Sequence, residues 1–585
     1  MPSVDSPPAR RWRLRGRFPD GALAGAPYPP LVRHLLYHRG FRTAAAAAAF
    51  FDGTPIDHDP LLLPDVERAL DRLARAVASG EAVAVYGDFD VDGVTASAIL
   101  IEGLRELYRR SGLHTDPAAS VTSYLPDRFS EGYGVNTAAI DTLAAKGVTL
   151  IITADCGTSS VAEVEHAKAL GIDTIIVDHH TVPPELPRAV ALVNPKRTGN
   201  RYPDAELASG GLAFRLMSAL YARLEREYPA ERYLDLVALS TVCDVAPLRD
   251  ENRSLVRRGL EALSRAERPG LRALMDVAGV DPERADTDTI GYILGPRLNA
   301  AGRLAHARLA LDLLLETDPD RAVQQAIELS ALNQQRQQAT AEAMALARTL
   351  LAEEDASAPL IFLGHPEIPA GIVGLVAGRL TEEYHRPVVV YERGEETSRA
   401  SCRSIPEFDI TAALRSCAEL MLRFGGHRAA AGFTVENKNL PALKQALLEV
   451  AARELADVEL VRVLDVDVAV ALRHLNGRLI EAIFRLAPFG AGNPEPTFLS
   501  RNVEVLDAWN MGDDGSHLRL KLRDGRVTYP AVAFGRGNGA GEEPAVTPPE
   551  LTPGARLDVV YTFTRDRSGD LELRLADFGP TGTHP

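Results

Sequence analysis

Short apolar runs alternate with helix-like segments from residue 80 onward. Each run ends in polar residues, and the clearest runs are Ala82–Tyr86, Val148–Thr153 and Thr174–Val177. Segments with helical periodicity, such as Val94–Tyr108 and Thr137–Lys146, separate them. Strands that alternate with helices in this way form a parallel sheet covered on both faces. The pattern therefore predicts an α/β domain over residues 80–317, preceded by a helical segment over residues 1–79.

A long helix is predicted after this domain. No glycine or proline occurs between Pro319 and Ala358, and Asp318 is suited to cap a helix that has proline at its first position. At ~1.5 Å per residue such a helix could extend roughly 50 Å. We therefore expect residues 318–358 to connect two domains.

The pattern changes again towards the carboxy terminus. A second α/β unit is expected over residues 359–456. From residue 457 to residue 585 the chain has alternating apolar and polar positions, as in Leu518–Leu522 and Leu571–Leu575. Loops rich in glycine and proline, notably Gly535–Pro553, separate these stretches. Short strands with such loops favour a small closed β-barrel.

The composition is that of a globular protein with several domains. Apolar residues make up 46% of the 585 residues and charged residues 25%. No run of about 18 apolar residues is present, so we expect no membrane span. The cysteines are scattered without a CxxC pair: Cys156, Cys243, Cys402 and Cys417. This pattern argues against a disulfide scaffold and a structural zinc site, and it favours a cytoplasmic location.

The net charge argues against a nucleic-acid partner. The chain has 64 basic and 80 acidic residues, a formal net charge of −16, whereas proteins that bind nucleic acid usually have a basic surface. A groove, however, needs only a local cluster of arginine and lysine, together with any bound cations. The charge therefore weakens this interpretation without excluding it.

Three carboxylates follow the first apolar run. Asp88, Asp90 and Asp92 come directly after it, and a helix is predicted after Gly93. Clustered carboxylates repel one another unless a cation lies among them, and hard divalent cations prefer oxygen ligands. A calcium EF-hand begins with the same spacing, but its twelfth position requires glutamate and is Ile99 here. The sequence therefore predicts a metal site that is not an EF-hand.

Further acidic residues and histidines follow other segments. Asp155 and the run Asp178-His179-His180 each follow an apolar run, and Asp244 is a fourth candidate. A single aspartate after a strand is commonly a helix cap or a turn residue. Ligands of open α/β sheets, however, bind outside the carboxyl ends of the strands, so these groups are expected to meet in one crevice. Such a set could hold two cations that activate a water and stabilise a leaving oxygen, with histidine favouring Mn²⁺ over Mg²⁺.

The same residues resemble, in order, the motifs of the DHH phosphoesterases. Other segments are similar to the RecJ exonuclease branch of that superfamily: Tyr86–Gly93, Pro126–Gly134, Gly295–Arg303, Ser401–Ile405, Gly425–Gly432 and Pro488–Pro496. The similarity extends over nearly the whole chain. It implies a DHH-type parallel-sheet catalytic domain, a long connecting helix, a second α/β domain of the DHH-associated type and a carboxy-terminal OB-like β-barrel.

The resemblance also implies a role for each acidic residue and histidine. Asp90 and Asp155 would bind one of two Mn²⁺ or Mg²⁺ ions, with Asp88 beside it. The second ion would be bound by Asp92, Asp155, His179 and Asp244. His180 would face the scissile phosphate, and Asp178 would orient its neighbours. His180, Asp155 and Asp178 are thus the expected catalytic residues.

Substrate contacts are implied on both α/β domains. Ser401 and Arg403, assisted by Arg128, would bind a terminal 5′-phosphate, since a guanidinium matches phosphate oxygens in a bidentate manner. Tyr133 could stack on a base. The remaining candidates are Arg297, Asn299 and Arg303 for the strand, Gly426 and His427 for the substrate side of the second α/β domain, and Arg501, Trp509, Lys521 and Arg523 for the barrel.

The function implied by the resemblance is a 5′→3′ exonuclease that acts on single-stranded DNA in recombination and repair. Its expected products are 5′-mononucleotides. A single-strand-binding protein and a RecQ-type helicase are the expected partners of a cytoplasmic monomer. One departure is that Ile368 and Pro369 stand where most relatives have a Trp-His pair.

Two alternatives remain open from the sequence. A nano-RNase or cyclic dinucleotide phosphodiesterase shares the catalytic core but lacks the barrel. A catalytically inactive replication scaffold shares the fold but loses metal ligands, all of which are present here.

Overall fold

The computed structural model describes residues 10–112, 116–353, 358–512, 515–536, 551–566 and 569–582. The described residues form two compact units. The first unit contains Pro55–Glu459 and Gly490–Gly492. The second contains the described parts of 8–54, 460–489 and 493–585.

The strands are numbered here in chain order. They are β1 (Arg10–Leu14), β2 (Val83–Gly87), β3 (Val121–Tyr124), β4 (Leu150–Ala154), β5 (Asp173–Val177), β6 (Ala191–Val193), β7 (Ile361–His365), β8 (Val388–Arg393), β9 (Thr397–Arg403), β10 (Arg423–His427), β11 (Ala430–Glu436), β12 (Arg462–Val466), β13 (Val468–Ala469), β14 (Phe498–Met511), β15 (His517–Asp524), β16 (Val527–Ala533), β17 (Arg556–Arg565) and β18 (Leu571–Pro580).

The α-helices are numbered in the same way. They are α1 (Pro30–His38), α2 (Ala44–Asp52), α3 (Val66–Ser79), α4 (Val91–Ser111), α5 (Pro117–Ser120), α6 (Thr137–Ala145), α7 (Val161–Ala169), α8 (Ser209–Arg223), α9 (Leu234–Cys243), α10 (Asp250–Arg265), α11 (Pro269–Ala278), α12 (Gly295–Leu304), α13 (Arg308–Leu315), α14 (Pro319–Ala352), α15 (Val373–Tyr384), α16 (Ile410–Arg415), α17 (Leu440–Glu454) and α18 (Gly477–Phe484). No helix in the described residues combines the length and the apolar character needed to cross a bilayer.

A parallel sheet forms the centre of the first unit, as predicted. Its strand order is β3-β2-β4-β5-β6, and each neighbouring pair is parallel. Every residue of β2 and β4 is buried because helices cover both faces of the sheet. Helices α4, α8 and α9 contribute to the core on one face, and α6 and α7 to that on the other. This packing fixes the carboxyl ends of β2, β4 and β5 side by side.

The predicted long helix is present as α14, which has 34 residues. The Asp318 side chain caps it by accepting hydrogen bonds from the backbone N–H groups of Asp320 and Arg321. The last part of the predicted segment, residues 354–357, lies outside the described residues.

A second sheet of the first unit follows α14. Its strand order is β10-β11-β9-β8-β7, in which β7 and β8 are parallel and the other pairs antiparallel. Val388 and Val390 of β8 pack against Val376 and Ala377 of α15 on one face. Helix α15 covers only part of this face, so residues of β9, β10 and β11 on the same face border a cleft in this unit.

The second unit contains the predicted closed barrel. Each strand in the series β14-β15-β16-β18-β17 is hydrogen-bonded to the next, and pairing of β14 with β17 closes the ring. Phe498 and Tyr561 are fully buried in its core. Residues 537–550, which form most of the predicted Gly535–Pro553 loop, lie outside the described residues.

Residues near the amino terminus belong to the same unit as the barrel. Strand β1 pairs in parallel with β12, and Leu36 of α1 and Phe51 of α2 are buried in the same core as Phe498. The sequence pattern contained no signal for this association, since helical periodicity does not identify the surface that a helix covers.

Candidate metal centre and substrate cleft

Neighbouring strands end in acidic residues at one edge of the parallel sheet. Asp88 follows β2, Asp155 follows β4 and Asp178 follows β5, and these strands are adjacent. All three carboxylates are at most 3% exposed. Asp155 has a positive φ of 67°, which directs the chain away from the strand end at a conformational cost. The crevice predicted from the sequence is therefore present.

The next two carboxylates lie at the start of α4. Asp90 caps this helix by accepting a hydrogen bond of 3.1 Å from the N–H of Gly93, and Asp92 lies in its first turn. A Cβ atom at Gly93 would lie 2.7 Å from the backbone N and O of Asp88, so only glycine fits this tight approach. The strand, the turn and the helix start thus bring Asp88, Asp90 and Asp92 to the same edge of the sheet as Asp155.

Two serines from distant segments orient these carboxylates. Asp92 accepts hydrogen bonds from the backbone N–H groups of Ser209 (2.8 Å) and Gly210 (2.9 Å) at the start of α8, and also from the hydroxyl of Ser240. The Ser209 hydroxyl donates to Oδ1 of Asp155 at 3.0 Å. Sequence reasoning missed both serines because neither lies in a recognisable motif.

His179 lies among the carboxylates. Its Nε2 atom is 3.3 Å from Asp155 Oδ1, 3.6 Å from Asp92 Oδ2 and 3.7 Å from Asp244 Oδ2. Asp244 follows helix α9, so it reaches the site from a helix end and not from a strand end. Groups whose candidate ligand atoms all lie within 4.8 Å of one another are Asp88–Asp90–Asp155, Asp92–His179–Asp244 and Asp155–His179–His180.

His180 and Asp178 form a pair beside this cluster. The Nδ1 atom of His180 lies 2.8 Å from Asp178 Oδ1, and Asp178 also accepts a hydrogen bond of 2.9 Å from the N–H of Thr158. Burial opposes ionisation of Asp178, but these hydrogen bonds hold its pKa below the ordinary value. Burial likewise disfavours the charged form of His180, yet Asp178 raises its pKa to about 9. The pair therefore carries a protonated imidazole beside a carboxylate at neutral pH.

The cluster is strongly acidic and incompletely hydrogen-bonded. Burial and then neighbouring carboxylates raise the pKa values of Asp88 and Asp155 well above their usual range and that of Asp244 to about 8. Oδ1 of Asp88 and Nε2 of His179 are buried without a hydrogen-bond partner among the described residues. Buried polar atoms usually have such a partner. A set of carboxylate oxygens and one imidazole nitrogen with unsatisfied lone pairs fits divalent cations such as Mn²⁺ or Mg²⁺.

An arginine cluster lies next to the acidic residues. Nη1 of Arg403 donates to Oγ of Ser401 at 3.0 Å, and the guanidinium of Arg128 lies 4.6 Å above the ring of Phe89. Burial, followed by repulsion from Arg128, Arg336 and Arg403, lowers the pKa of Arg303 to about 9. None of Arg128, Arg303 and Arg403 forms an ion pair within the part of the chain that the structure describes. Asp88 and Asp90 act on Arg128 only from beyond ion-pair distance, so this group of arginines is suited to an anionic ligand. Arg336 of α14 was missed from the sequence.

A cleft of about 820 Å³ opens between the parallel sheet and the second sheet of the first unit. From the parallel-sheet side it is lined by Phe89, Arg128, Tyr133, Gly157, Thr158, Ser159, Asp178, His180 and Thr181. From the second sheet it is lined by Arg399, Ala400, Arg423, Phe424, Gly425, Gly426, His427, Gly432, Phe433 and Thr434. Tyr133 is 54% exposed, and its hydroxyl lies 3.3 Å from Nδ1 of His180. The cleft thus joins several predicted substrate residues to the acidic cluster.

Other predicted substrate residues have contacts of their own. Arg297 donates to the carbonyl of Ile293 at 2.7 Å. The described residues that line the cleft do not include Arg297 or Asn299. Gly426 has a φ of 143°, and a Cβ atom there would lie 2.4 Å from Cα of Ala431, so strand packing alone requires this glycine. Their roles in substrate binding stay predictions.

The candidates on the barrel belong to the second unit. Trp509 is 45% exposed on β14. Arg523 forms an ion pair with Glu504, and Arg501 lies 3.3 Å from the buried carboxylate of Asp558. Lys521 of β15 is exposed as well. Of the four candidates, Trp509 and Lys521 therefore have no ion pair in the part of the chain that the structure describes.

Known protein families match most of the described chain. The model for the DHH family, N-terminal domain, matches residues 82–241, that for the DHHA1 domain residues 357–455 and that for the RecJ OB domain residues 466–572. The acidic cluster lies largely in the first match, Arg403 in the second and the barrel in the third.

Two similar sequences are each named single-stranded-DNA-specific exonuclease RecJ. The protein from Bacillus subtilis (strain 168) is 35% identical over 534 residues, which cover 91% of this chain and 65% of the relative. The protein from Salmonella typhimurium is 35% identical over 544 residues, which cover 89% of this chain and 92% of the relative.

Solved structures show the same fold. The crystal structure of RecJ from Thermus thermophilus in complex with Mn²⁺ is 29% identical, with a TM-score of 0.81, and the match covers 98% of this chain and 80% of that chain. A structure of that protein in complex with Mg²⁺ matches with a TM-score of 0.75 at 28% identity. Both cations named there are those that suit the acidic cluster of this chain.

Proposed function

The chain belongs to the RecJ family, and on that premise we propose that it is a metal-dependent exonuclease. Its substrate is single-stranded DNA, which it hydrolyses from the 5′ end to 5′-mononucleotides during recombination and repair. The observation that carries this proposal is the position of the acidic cluster beside arginines that lack ion-pair partners in the described part of the chain. An enzyme that removes nucleotides from a phosphorylated end needs both groups next to each other.

The acidic cluster would hold two divalent cations. Asp88, Asp90 and Asp155 would hold one, and the other would be held by Asp92, Asp155, His179 and Asp244. When bound, such a pair of cations supplies an activated water and neutralises charge on the phosphate oxygens. Ser209, Gly210 and Ser240 fix the carboxylate of Asp92, so the ligands need little rearrangement on binding.

His180 acts on the phosphate side of the cluster. Its ring lies in the wall of the cleft, and before cations bind Asp178 raises the pKa of His180 to about 9, which favours the protonated ring. Asp178 holds the ring by accepting a hydrogen bond from Nδ1. Nε2, which lies 3.4 Å from the hydroxyl of Tyr133, would donate to a phosphate oxygen. A fixed charged donor of this kind stabilises negative charge that develops during hydrolysis.

The arginine cluster would bind the terminal 5′-phosphate. Arg403 and Ser401 already form a hydrogen bond. Arg128 and Arg303 add positive charge, and no carboxylate of the described residues lies within ion-pair distance of either. A terminal phosphate held at a fixed distance from the acidic cluster places the first phosphodiester bond for hydrolysis. Release of single nucleotides follows from this spacing.

Several further features belong to the same proposal. The barrel of the second unit would bind the single strand with Trp509 as one contact, because OB barrels use exposed aromatic side chains in this way. A cytoplasmic monomer that acts with a single-strand-binding protein and a RecQ-type helicase agrees with family membership. The catalytic domain would span residues 80–317, the DHH-associated domain 359–456 and the OB-like domain 457–585.

The alternative functions fit less well. A nano-RNase or cyclic dinucleotide phosphodiesterase needs no barrel, whereas residues 466–572 match the RecJ OB domain. A catalytically inactive scaffold needs no metal ligands, whereas the residues proposed as ligands form groups here whose atoms lie within 4.8 Å of one another. We therefore favour the exonuclease.

A time course on a labelled oligonucleotide tests this function. Purified protein is incubated with a single strand labelled at its 5′ or 3′ end, with Mn²⁺ or with EDTA. The proposal predicts labelled mononucleotide at once from the 5′ label, a ladder of shortening strands from the 3′ label, and no reaction with EDTA. Internal fragments or an intact strand with Mn²⁺ would contradict it.

A further inference from the structure

One face of the second sheet forms a shallow trough. Part of it lines the cleft, namely Arg399, Arg423, Gly425, His427, Gly432 and Thr434. On β9, Arg399, Ser401 and Arg403 pair in that order with Thr434, Gly432 and Ala430 of β11. On β10, Arg423, Gly425 and His427 pair in that order with the same three residues of β11. Because register partners point to the same side of a sheet, these residues share one face. We call this face the sheet trough.

Small residues form the floor of the sheet trough. Gly432, Ala430 and Gly425 have no side chain beyond Cβ, and a Cβ atom at Gly425 would have nothing within 4 Å. The opposite face is different, since Phe433 and Ala431 are buried there. The floor is therefore open to a ligand in the cleft.

Cationic side chains lie at both ends of this floor. One end has Arg403 with Ser401, where the terminal phosphate is proposed to bind. The other end has Arg399 and Arg423, both exposed, with Thr434 between them. Arg399 and Arg403 are four residues apart on one strand, or about 13 Å at roughly 3.3 Å per residue. Two neighbouring phosphates of one strand lie closer together than this.

The second cationic end has no anionic partner in the described part of the chain. Nη1 of Arg399 donates to the carbonyl of Phe129 at 2.7 Å, and Nε of Arg423 donates to Oγ1 of Thr434 at 3.1 Å. Both partners are neutral, so the positive charges remain unbalanced. In a chain with a net charge of −16, two exposed arginines that flank Thr434 and lack a carboxylate partner favour an anionic ligand.

We propose that Arg399, Arg423 and Thr434 bind a phosphate of the DNA strand on the 3′ side of the bond that is hydrolysed. This inference rests on the proposed function. A strand with its 5′-phosphate at Arg403 and its next phosphate at the acidic cluster would present a later phosphate to Arg399 and Arg423. A dinucleotide with a 5′-phosphate has no such third phosphate, whereas a trinucleotide has one.

The site therefore gives the enzyme a length preference. Hydrogen bonds to a charged group change an equilibrium on the order of tenfold or more. We expect kcat/KM to rise about tenfold from the 5′-phosphorylated dinucleotide to the trinucleotide. The gain should be much smaller from the trinucleotide to a tetranucleotide at this site.

Arg423→Gln is the test variant, because Arg423 is exposed and its side chain donates to the hydroxyl of Thr434 within the same site. Arg393→Gln is the matched control, since Arg393 is an exposed arginine that strand alternation places on the opposite face of the same sheet. Arg423→Lys retains the charge. Kinetics on the di- and trinucleotides with Mn²⁺ are combined with binding of a 5′-phosphorylated 12-mer in EDTA at several salt concentrations.

The site predicts that Arg423→Gln loses most of the gain between di- and trinucleotide. It also predicts that the slope of log Kd against log salt falls by about 0.7, the value for one phosphate contact of a single strand. Arg423→Lys should keep the slope, and Arg393→Gln should behave as the unmodified chain. If Arg423→Gln matches Arg393→Gln in both measurements, the inference is wrong. If the slope changes but no protein hydrolyses any strand, the phosphate site stands and the exonuclease function fails.

Discussion

Nε2 of His179 lies 3.3 Å from Oδ1 of Asp155, across the ends of the adjacent strands β5 and β4. No group among the described residues donates a hydrogen bond to that nitrogen. Burial lowers the pKa of His179, so its imidazole is favoured in the neutral form that binds metal ions. The two side chains are therefore suited to the shared cation that we propose.

Asp155→Asn is expected to lower turnover by more than about a hundredfold. Loss of a residue that only orients a metal ligand lowers activity about 10–100-fold, and loss of the ligand itself should cost more. Asparagine is chosen because it tolerates the positive φ at this position better than alanine does. Mononucleotide release measures the effect, and binding of the strand in EDTA serves as the control. Full turnover in this variant would remove Asp155 from the metal centre.

Ser240→Ala tests the support of Asp92. Loss of the hydroxyl removes one of the hydrogen bonds that orient this carboxylate, while those from Ser209 and Gly210 remain. We expect the Kd for Mn²⁺ to rise on the order of tenfold, as measured by calorimetric titration. An unchanged Kd would show that the serine does not influence the ligands.

Arg403→Ala tests the proposed 5′-phosphate site. The measured quantity is kcat/KM for a 5′-phosphorylated strand divided by kcat/KM for a 5′-hydroxyl strand. We expect this ratio to fall on the order of tenfold, because a charged hydrogen bond to the terminal phosphate is lost. Arg415→Ala, an exposed arginine at the end of α16, is the matched control. A ratio that stays the same in both variants would place the terminal phosphate elsewhere.

The acidic cluster predicts how stability without metal depends on pH. Asp244 has a pKa of about 8 in the folded chain, whereas the unfolded chain releases this proton near pH 4. Between these values the unfolded state binds fewer protons, so the free energy of unfolding falls as the pH rises. Calorimetry in EDTA should show a Tm that decreases from about pH 5 to about pH 8, and less steeply in Asp244→Asn.

Added Mn²⁺ should offset this decrease of Tm with pH. The cation binds the deprotonated carboxylates, so the rise in Tm that it causes should be larger near pH 8 than near pH 6. A smaller rise at the higher pH would mean that the carboxylates with raised pKa values are not its ligands.

Much of the fold and part of the site were accessible from the sequence. Apolar runs that end in aspartate predicted a parallel sheet with a shared acidic edge, and α14 was evident from its lack of glycine and proline. The motifs resembled those of the RecJ branch, and the family matches confirm that assignment.

The rest depends on contacts that leave no local pattern. Ser209 and Ser240 reach Asp92 only because α8 and α9 pack beside α4. Arg399 and Arg423 share one face through the register of β9, β11 and β10, which sequence periodicity does not specify. Residues 10–54 join the unit that contains the barrel through the pairing of β1 with β12 and through a core shared with barrel residues, all between segments that are far apart in the chain.

The central claim is that side chains from separate segments bind a pair of cations at one edge of the parallel sheet. Anomalous diffraction from a crystal soaked in Mn²⁺ tests it most directly. The account predicts two peaks, one among Asp88, Asp90 and Asp155 and the other among Asp92, His179 and Asp244. A map without a peak between these residues, from crystals that diffract as well as untreated ones, would contradict it.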